Sequence, residues 1–246
     1  MNLLHPYTLV VHPDFKDLKD WILSIPQLFT NGDGEIIYKG RNELRAFSHQ
    51  GTRYVVKAFR RPNLVNRFVY GFLRPSKAKR AYLHAEMLRE IGVGTPRPVG
   101  YLNIRQGFLF DRSYLITLEA ECPHVYRELF EQKFEYEEEV LREIGRVTAL
   151  LHNHGYAHKD YGRGNILFKQ TPEGIKLEIV DLNRMDIGPL DIKAGCKNLE
   201  RLPATPQMHR WLAEEYAQAR GMDPEKRYQL MVAYRSTQPG KIDGKY

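Results

Sequence analysis

The stretch AHKDYGRGNILF, residues 157–168, places an aspartate, an arginine and an asparagine in a short loop that contains two glycines. The loop runs directly into Ile166, Leu167 and Phe168, an apolar run of the kind that forms a buried strand. A polar loop anchored by a buried strand holds its side chains in fixed positions. We therefore take this loop as the most informative segment for both the fold and the chemistry.

Both flanks of the loop have regular patterns. Residues 136–156 place apolar residues at helical spacing, begin with acids and end at Gly155, which predicts a buried helix. Residues 164–181 predict a hairpin around the polar segment KQTPEG. Further on, proline and glycine begin or separate three helical stretches, residues 191–202, 206–221 and 224–236.

The first half of the chain indicates strands. Residues 34–40, 42–48 and 52–59 are short runs rich in β-branched and aromatic residues, and polar or glycine-bearing breaks separate them. A helix follows over about residues 76–91, with Ser76 as its N-cap, and two more strands follow before Ala120.

The predicted fold class is α+β, with a small antiparallel sheet and one helix in residues 1–120 and a mainly helical part in residues 121–246. We expect one domain over residues 1–246, with the boundary between its two parts near Pro123.

Composition limits the class of protein. The 246 residues are 42% hydrophobic and 27% charged, and no apolar run is long enough to cross a bilayer. The amino terminus has no secretory pattern, and two isolated cysteines fit a reducing compartment, so we expect a cytoplasmic protein. The net charge of +7 predicts an anionic partner.

The basic charge is concentrated in one segment. Residues 53–85 contain no acid, and aromatic residues such as Phe68 and Phe72 lie between the cations. This pattern fits contact with a membrane surface or nucleic acid. It fits equally a solvated basic face whose aromatics pack inward.

Five residues supply what phosphoryl transfer needs. Asp160 can orient an acceptor hydroxyl, and Asn165 and Asp181 carry oxygens that Mg²⁺ prefers. Lys57, on a predicted strand, can bind nucleotide phosphates, and Glu86 on the following helix can hold that lysine; Glu90 shares its face and remains an alternative. Each signal is common alone, and the order in which they occur favours a kinase.

The sequence resembles the protein-kinase-like fold. HKDYGRGN, residues 158–165, matches the H-x-D-x-x-x-x-N catalytic loop, and VDLN, residues 180–183, stands where kinases carry D-F-G. It resembles more closely the lipopolysaccharide kinase family, which phosphorylates Kdo or heptose sugars of the inner core. Four stretches carry this resemblance: YVVKAF (54–59), GTPRPVGY (94–101), HNHGYAHKDYGRGNILF (152–168) and IVDLNRM (179–185).

The resemblance implies a two-lobed kinase fold and a role for each residue. Asp160 would be the catalytic base, Asn165 and Asp181 the Mg²⁺ ligands, and Lys57 would bind the α- and β-phosphates of ATP while pairing with Glu86.

The resemblance also bears on three other residues. Backbone groups around Glu119 and Glu121 would read adenine. Arg163 would neutralise the transferring phosphate or else only cap the turn.

The sequence departs from protein kinases in ways that bear on the acceptor. It has no G-x-G-x-x-G in residues 38–51, no glycine after Asp181 and Leu182, and no A-P-E. These absences favour a small-molecule or glycan acceptor over a protein.

The leading interpretation is an ATP- and Mg²⁺-dependent kinase of a sugar hydroxyl in the lipopolysaccharide inner core. Its acceptor would be an anionic glycolipid, the Kdo of a Kdo–lipid A precursor, or a sugar. Peripheral contact with the cytoplasmic face of the inner membrane would follow, and no nucleic-acid partner is expected. The alternatives are a kinase of another small hydroxylated molecule, such as an aminoglycoside or ketosamine, and a non-catalytic kinase-fold protein that binds a nucleotide or nucleic acid.

Overall fold

The computed structural model describes residues 6–64, 67, 70 and 74–236. The chain forms two compact units. The first unit contains Met1–Glu86 and Pro96–Ala120, and the second contains Met87–Thr95 and Glu121–Tyr246.

The first unit is built on a six-stranded antiparallel sheet. Its strands are β1 (Tyr7–Val11), β2 (Glu35–Lys39), β3 (Glu43–His49), β4 (Thr52–Phe59), β5 (Pro98–Gln106) and β6 (Leu109–Leu118). Their order in the sheet is β1-β5-β6-β4-β3-β2, and β2 to β4 form the predicted meander.

Two helices cover the two faces of this sheet. Helix α1 (Lys19–Asn31) follows a 3₁₀ helix, Pro13–Leu18, and buries Ile22 and Ile25 against the sheet side chains that include Val56. Because side chains alternate along a strand, the residues next to Val56 face the other way. On that second face, α2 (Lys77–Glu90) packs Ala78 and Tyr82 against Phe59 and Tyr101.

The start of α2 is set by its predicted cap. The Ser76 hydroxyl accepts from the backbone N–H of Lys79 at 3.0 Å, and the Ser76 carbonyl accepts from Arg80. These bonds satisfy donors that a helix start would otherwise leave unpaired. The predicted helix over residues 76–91 is confirmed.

The second unit contains four α-helices among its described residues, together with short strands. The helices are α3 (Glu137–Asn153), α4 (Ile192–Asn198), α5 (Pro206–Ala219) and α6 (Pro224–Ser236), with 3₁₀ helices at Tyr126–Phe130 and Leu199–Arg201. The strands form two small sheets, β10-β9-β7 and β11-β8. They are β7 (His124–Val125), β8 (Tyr156–His158), β9 (Ile166–Thr171), β10 (Gly174–Ile179) and β11 (Met185–Ile187).

Helix α3 lies at the centre of the second unit, as its pattern predicted. Val140, Leu141 and Ile144 are fully buried. A Cβ on Gly145 would lie 2.7 Å from the carbonyl oxygen of Leu212, so glycine at this position lets α3 and α5 approach closely. The helix therefore forms a rigid support for the segment that follows it.

The strand β1 and the helix α1 of the first unit were not predicted from the sequence. Strand β1 pairs with β5, and α1 contributes to an apolar core on one face of the sheet. No element was predicted here from the sequence, and Pro26 lies inside α1. Proline disfavours a helix interior, so the apolar pattern around it did not read as one helix.

Candidate active site

The loop that carries Asp160 joins β8 to β9 and is closed by its own backbone bonds. The N–H of Tyr161 donates to the carbonyl of His158 at 3.2 Å, and the N–H of Asn165 donates to that of Gly162 at 2.9 Å. The Asn165 side-chain Nδ2 donates to the Asp160 carbonyl at 2.8 Å. This bond leaves the amide oxygen of Asn165 for another partner and fixes the loop around Asp160.

His158 braces the loop from beneath. Its Nε2 donates to the Val180 carbonyl at 3.1 Å, and its Nδ1 accepts from the backbone N–H of Asp160 at 3.1 Å. Burial lowers the pKa of His158, which favours the neutral ring that this donor–acceptor pattern requires. His158 thus links the Asp160 backbone to the end of β10.

The loop is also anchored from the helical side. The Asn198 side chain, at the end of α4, donates to the His158 carbonyl at 2.9 Å. The Tyr161 hydroxyl is buried and lies 2.9 Å from the Thr148 hydroxyl on α3. Contacts from two helices therefore hold the loop that presents Asp160.

Asn165 and Asp181 lie at the adjoining ends of paired strands. Ile166 of β9 pairs with Ile179 of β10, and the N–H of Val180 donates to the Asn165 carbonyl at 3.0 Å. The Asp181 backbone has a φ of +61°, a left-handed conformation that aspartate tolerates better than most residues. The Asn183 side-chain amide donates to Asp181 Oδ1.

The donor set at these strand ends fits Mg²⁺ in its chemistry. Asn165 and Asp181 offer oxygens only, and Mg²⁺ in kinases takes one or two protein oxygens together with phosphate and water. No group of three or more His, Cys, Asp or Glu residues suited to a metal occurs in the described residues. The residues thus suit a metal that phosphates help to bind, and they do not form an all-protein cage.

Asp160 has an ionic partner that the sequence analysis did not foresee. Arg184 Nη1 lies 3.0 Å from Asp160 Oδ1 and 2.8 Å from Oδ2. The hydrogen bond to Asp160 raises the pKa of the Arg184 guanidinium. A sequence signal existed, because Arg184 follows Asp181 by three residues within the quoted stretch IVDLNRM, but the spacing alone does not say where the side chain points.

Lys57 and Glu86 both belong to the first unit. Lys57 lies on β4 opposite Leu44 and Leu115, and its Nζ is 5.5 Å from the centroid of the Phe59 ring. The carboxylate of Glu86 lies 4.0 Å from His12 Nε2, while its Oε1 is buried without a hydrogen-bond partner. The structure thus places the Glu86 carboxylate beside the His12 ring.

Glu119 and Glu121 were expected to contact adenine through backbone groups. The N–H group of each donates a hydrogen bond to a residue of its own unit. The Glu119 N–H donates to the Arg53 carbonyl at 3.2 Å. The Glu121 N–H donates to the buried carboxylate of Glu178 at 2.7 Å. The N–H groups of both residues are therefore engaged within the protein.

A profile of the lipopolysaccharide kinase (Kdo/WaaP) family matches residues 39–220, which is more than half of the chain. The chain belongs to this family. The protein is thus a kinase, a phosphotransferase, and family membership implies the use of ATP.

Two relatives illustrate the similarity to other members. The 3-deoxy-D-manno-octulosonic acid kinase of Pasteurella multocida (strain Pm70) is 25% identical over 171 residues, which cover 69% of this chain and 68% of the relative. The solved structure of WaaP in complex with acyl carrier protein superposes with a TM-score of 0.64 at 16% identity, over 94% of this chain and 98% of that chain. The predicted α+β, protein-kinase-like fold is confirmed.

The basic segment of this kinase makes internal contacts where it is described. Arg61 Nε lies 2.5 Å from Asp111 Oδ1, and the buried Arg67 donates to the Phe110 carbonyl at 2.8 Å. The Tyr70 ring lies 5.8 Å from the Phe110 ring. The Tyr70 contact fits the interpretation in which the aromatics pack inward, whereas Arg61 and Arg67 are engaged within the protein and do not form a solvated basic face. Phe68, Phe72 and Leu73 lie outside the described residues.

Arg163 lies on the surface of the loop. Its side chain is exposed, and its carbonyl accepts a hydrogen bond from the N–H of Arg127 at 3.1 Å.

Across residues 6–64, 67, 70 and 74–236, no helix combines the length and apolarity needed to span a bilayer.

Proposed function

We propose that this kinase transfers the γ-phosphate of ATP to a hydroxyl of Kdo in a Kdo–lipid A precursor. Membership of the lipopolysaccharide kinase family supports a sugar of the core as acceptor. The similarity to a relative named 3-deoxy-D-manno-octulosonic acid kinase supports Kdo within that class. The observation that carries the chemistry is the braced loop that holds Asp160 and Asn165 beside the strand end that bears Asp181.

Asp160 is proposed as the residue that acts on the acceptor. Its carboxylate accepts a hydrogen bond from the sugar hydroxyl and takes the proton as the hydroxyl oxygen bonds to the γ-phosphorus. The bond between that phosphorus and the β–γ bridging oxygen breaks, and ADP leaves. His158, Asn165 and Asn198 keep Asp160 in place, because their hydrogen bonds tie down the backbone around it.

Asn165 and Asp181 are proposed as the protein ligands of Mg²⁺. When bound, the metal supplies positive charge that offsets charge on the nucleotide phosphates. The two residues themselves provide one amide oxygen and one carboxylate, and the strand pairing of Ile166 with Ile179 fixes their spacing. The left-handed backbone of Asp181 is consistent with a functional position, since such conformations concentrate at ligand sites.

Lys57 and Glu86 are proposed to act on the nucleotide as a pair. Lys57 binds the α- and β-phosphates, and Glu86 orients it. The unpartnered and buried Oε1 of Glu86 supports this role, because a buried carboxylate oxygen without a donor is costly and favours an incoming ammonium group. Glu86 also suits this role better than Glu90, which is exposed at the end of α2.

The remaining expected residues have lesser roles in the proposal. Arg163 is exposed and is proposed to neutralise the transferring phosphate. The carbonyl oxygens of Glu119 and Glu121 are proposed to face the adenine amino group, since their N–H groups are already engaged.

The glycolipid acceptor implies contact with the cytoplasmic face of the inner membrane. Exposed cations near an anionic surface contribute about 1 kcal/mol each. Because Arg61 and Arg67 are paired internally, we assign this role to the exposed Arg60 and Arg74. Equal recovery of the protein on neutral and anionic vesicles that carry the acceptor would remove the membrane element from the proposal.

An acceptor panel tests the proposed substrate. The protein, ATP and Mg²⁺ are incubated with Kdo–lipid A, with lipid A that lacks Kdo, and with an aminoglycoside, and the products are weighed by mass spectrometry. The proposal expects the mass of one phosphate to be added to Kdo–lipid A and not to the other two. Phosphorylation of the aminoglycoside alone would instead support the small-molecule alternative.

A further inference from the structure

The position of Arg184 is set by strand pairing. The N–H of Lys159 donates to the Arg184 carbonyl at 2.9 Å, and the next residue, Met185, pairs with His158 in the β8–β11 ladder. The backbone of Arg184 therefore runs beside the residue that precedes Asp160. This register brings the guanidinium to the Asp160 carboxylate, where one nitrogen, Nη1, contacts both oxygens.

This pair occupies the carboxylate that the proposed reaction needs. Asp160 must accept a proton from the acceptor hydroxyl, and a guanidinium on both of its oxygens makes it a weaker base and blocks the hydroxyl's approach. A permanent Arg184–Asp160 pair would thus oppose transfer. Arg184 is expected to turn to another anion when the acceptor binds.

The energetics allow such a change of partner. The Arg184 side chain is 59% exposed and that of Asp160 is 25% exposed. Ion pairs with this degree of exposure contribute little to stability, so a ligand anion can replace Asp160 at little cost. The neighbouring Lys159 is already paired with Asp186 at 2.9 Å, which leaves Arg184 as the better placed cation of these two.

The proposed acceptor carries a suitable anion. Kdo, 3-deoxy-D-manno-octulosonic acid, is a sugar acid and so presents a carboxylate on the sugar itself. The planar guanidinium matches a carboxylate with two parallel hydrogen bonds, which a lysine cannot form. We infer that Arg184 binds the carboxylate of the acceptor sugar and thereby releases Asp160 to act on the hydroxyl.

This inference rests on the proposed function, and it adds the residue that selects an acidic sugar. In the free protein Arg184 pairs with Asp160. In the acceptor complex the sugar carboxylate takes the guanidinium and the sugar hydroxyl takes Asp160. The exchange of one anion for the other both binds the acidic sugar and releases Asp160. A neutral sugar would bind poorly and would leave Asp160 paired with Arg184.

The test compares two acceptors and three variants. The acceptors are Kdo–lipid A and the same glycolipid with its Kdo carboxylate converted to the carboxamide. The variants are Arg184→Gln, Arg184→Lys and the matched control Lys159→Gln, which removes a cation one residue from Asp160 that pairs elsewhere. KM for each acceptor, KM for ATP and kcat are measured, with thermal melting as a check on folding.

We expect wild type and Lys159→Gln to use the carboxylate acceptor with a kcat/KM about tenfold to a hundredfold higher than that for the carboxamide acceptor. Arg184→Gln should lose this preference through a raised KM for the carboxylate acceptor, with KM for ATP unchanged. Arg184→Lys should keep part of it. If Arg184→Gln does not fold, the wild-type preference and the Arg184→Lys result still decide the matter.

Three results would overturn the inference. They are equal use of both acceptors by wild type, a preference that survives in Arg184→Gln, and a raised KM for ATP in Arg184→Gln, which would assign the guanidinium to the nucleotide. In each of these, wild type still phosphorylates Kdo–lipid A, so the proposed function stands. Absence of any transfer to Kdo–lipid A by wild type rejects both.

Discussion

The backbone N–H of Val180 donates to the carbonyl oxygen of Asn165 at 3.0 Å. This bond extends the β9–β10 ladder by one position and places the residue after Val180, Asp181, at the same strand end as Asn165. Asn165, in the loop of residues 158–165, and Asp181 are thereby held at one strand end. The two proposed metal ligands depend on this bond for their spacing.

Replacement of Asp181 should separate metal binding from folding. Asp181→Asn removes the only carboxylate of the proposed Mg²⁺ ligands, so ATP should no longer stabilise the variant more with Mg²⁺ than with EDTA. Thermal shift measures this difference. The control is Asp186→Asn, which makes the same charge change at an exposed residue paired with Lys159 and should behave as wild type. An unchanged Mg²⁺ effect in Asp181→Asn would remove it from the metal site.

The partner of Lys57 can be settled by two glutamate variants. Lys57→Met should raise KM for ATP and lower kcat, each by tenfold or more, because a phosphate-binding cation is lost. Glu86→Gln should change both in the same direction and by less, since its buried Oε1 is the proposed acceptor for Lys57. Glu90→Gln is the control and should have no effect. If Glu90→Gln resembles Lys57→Met and Glu86→Gln does not, the assignment of the pair is wrong.

Stability should fall as the pH is lowered through the range where histidine titrates. Burial, together with the nearby Arg220 and Arg227, lowers the pKa of His152 to about 4, whereas the side-chain hydrogen bond to Asn198 acts in the opposite direction. The unfolded chain therefore binds more protons than the folded one between about pH 6.5 and pH 4, and the free energy of unfolding decreases with acidification across that window.

Urea unfolding at pH 7.5 and pH 5.5 measures this effect. Wild type should lose at least about 1 kcal/mol between the two, because one pKa unit corresponds to about 1.4 kcal/mol and the pKa of the buried His158 is lowered too. His152→Gln cannot titrate and should lose less. Equal losses in the two proteins would show that His152 is not the group responsible.

The close approach of α3 and α5 gives a prediction for Gly145. Gly145→Ala places a Cβ against the Leu212 carbonyl oxygen, so the helices must shift. The strain should cost about 1 to 3 kcal/mol of unfolding free energy and exceed the gain of about 1 kcal/mol from the helix propensity of alanine. Chemical denaturation measures the net change. A variant as stable as wild type would contradict such close packing.

The sequence predicted the elements with strong local patterns. The strands of β2 to β4, the capped helix α2 and the hairpin β9–β10 were all found where alternation, capping and turn residues placed them. Helix α1 was not predicted because Pro26 interrupts its pattern and because tertiary packing against the sheet stabilises it. Local sequence carries little information on an element of this kind.

The same distinction applies to the site. The candidate residues of the loop 158–165 lie close together in the chain, so a motif was sufficient to select them. Arg184 meets Asp160 through the pairing of β8 with β11, two strands of three residues each that have no periodicity to read. The contact of Glu86 with His12 also depends on tertiary structure. It could not be predicted, because His12 lies in a region for which no element was predicted from the sequence.

We propose Asp160 as the base in phosphoryl transfer to Kdo, and a labelling experiment tests this role. The most direct measurement follows label from γ-labelled ATP into Kdo–lipid A with wild type and with Asp160→Asn, while ATP binding is measured for both. We expect label in the glycolipid with wild type. With Asp160→Asn we expect a loss of at least about a thousandfold in transfer, with similar ATP binding. Transfer by Asp160→Asn at close to the wild-type rate would contradict this role.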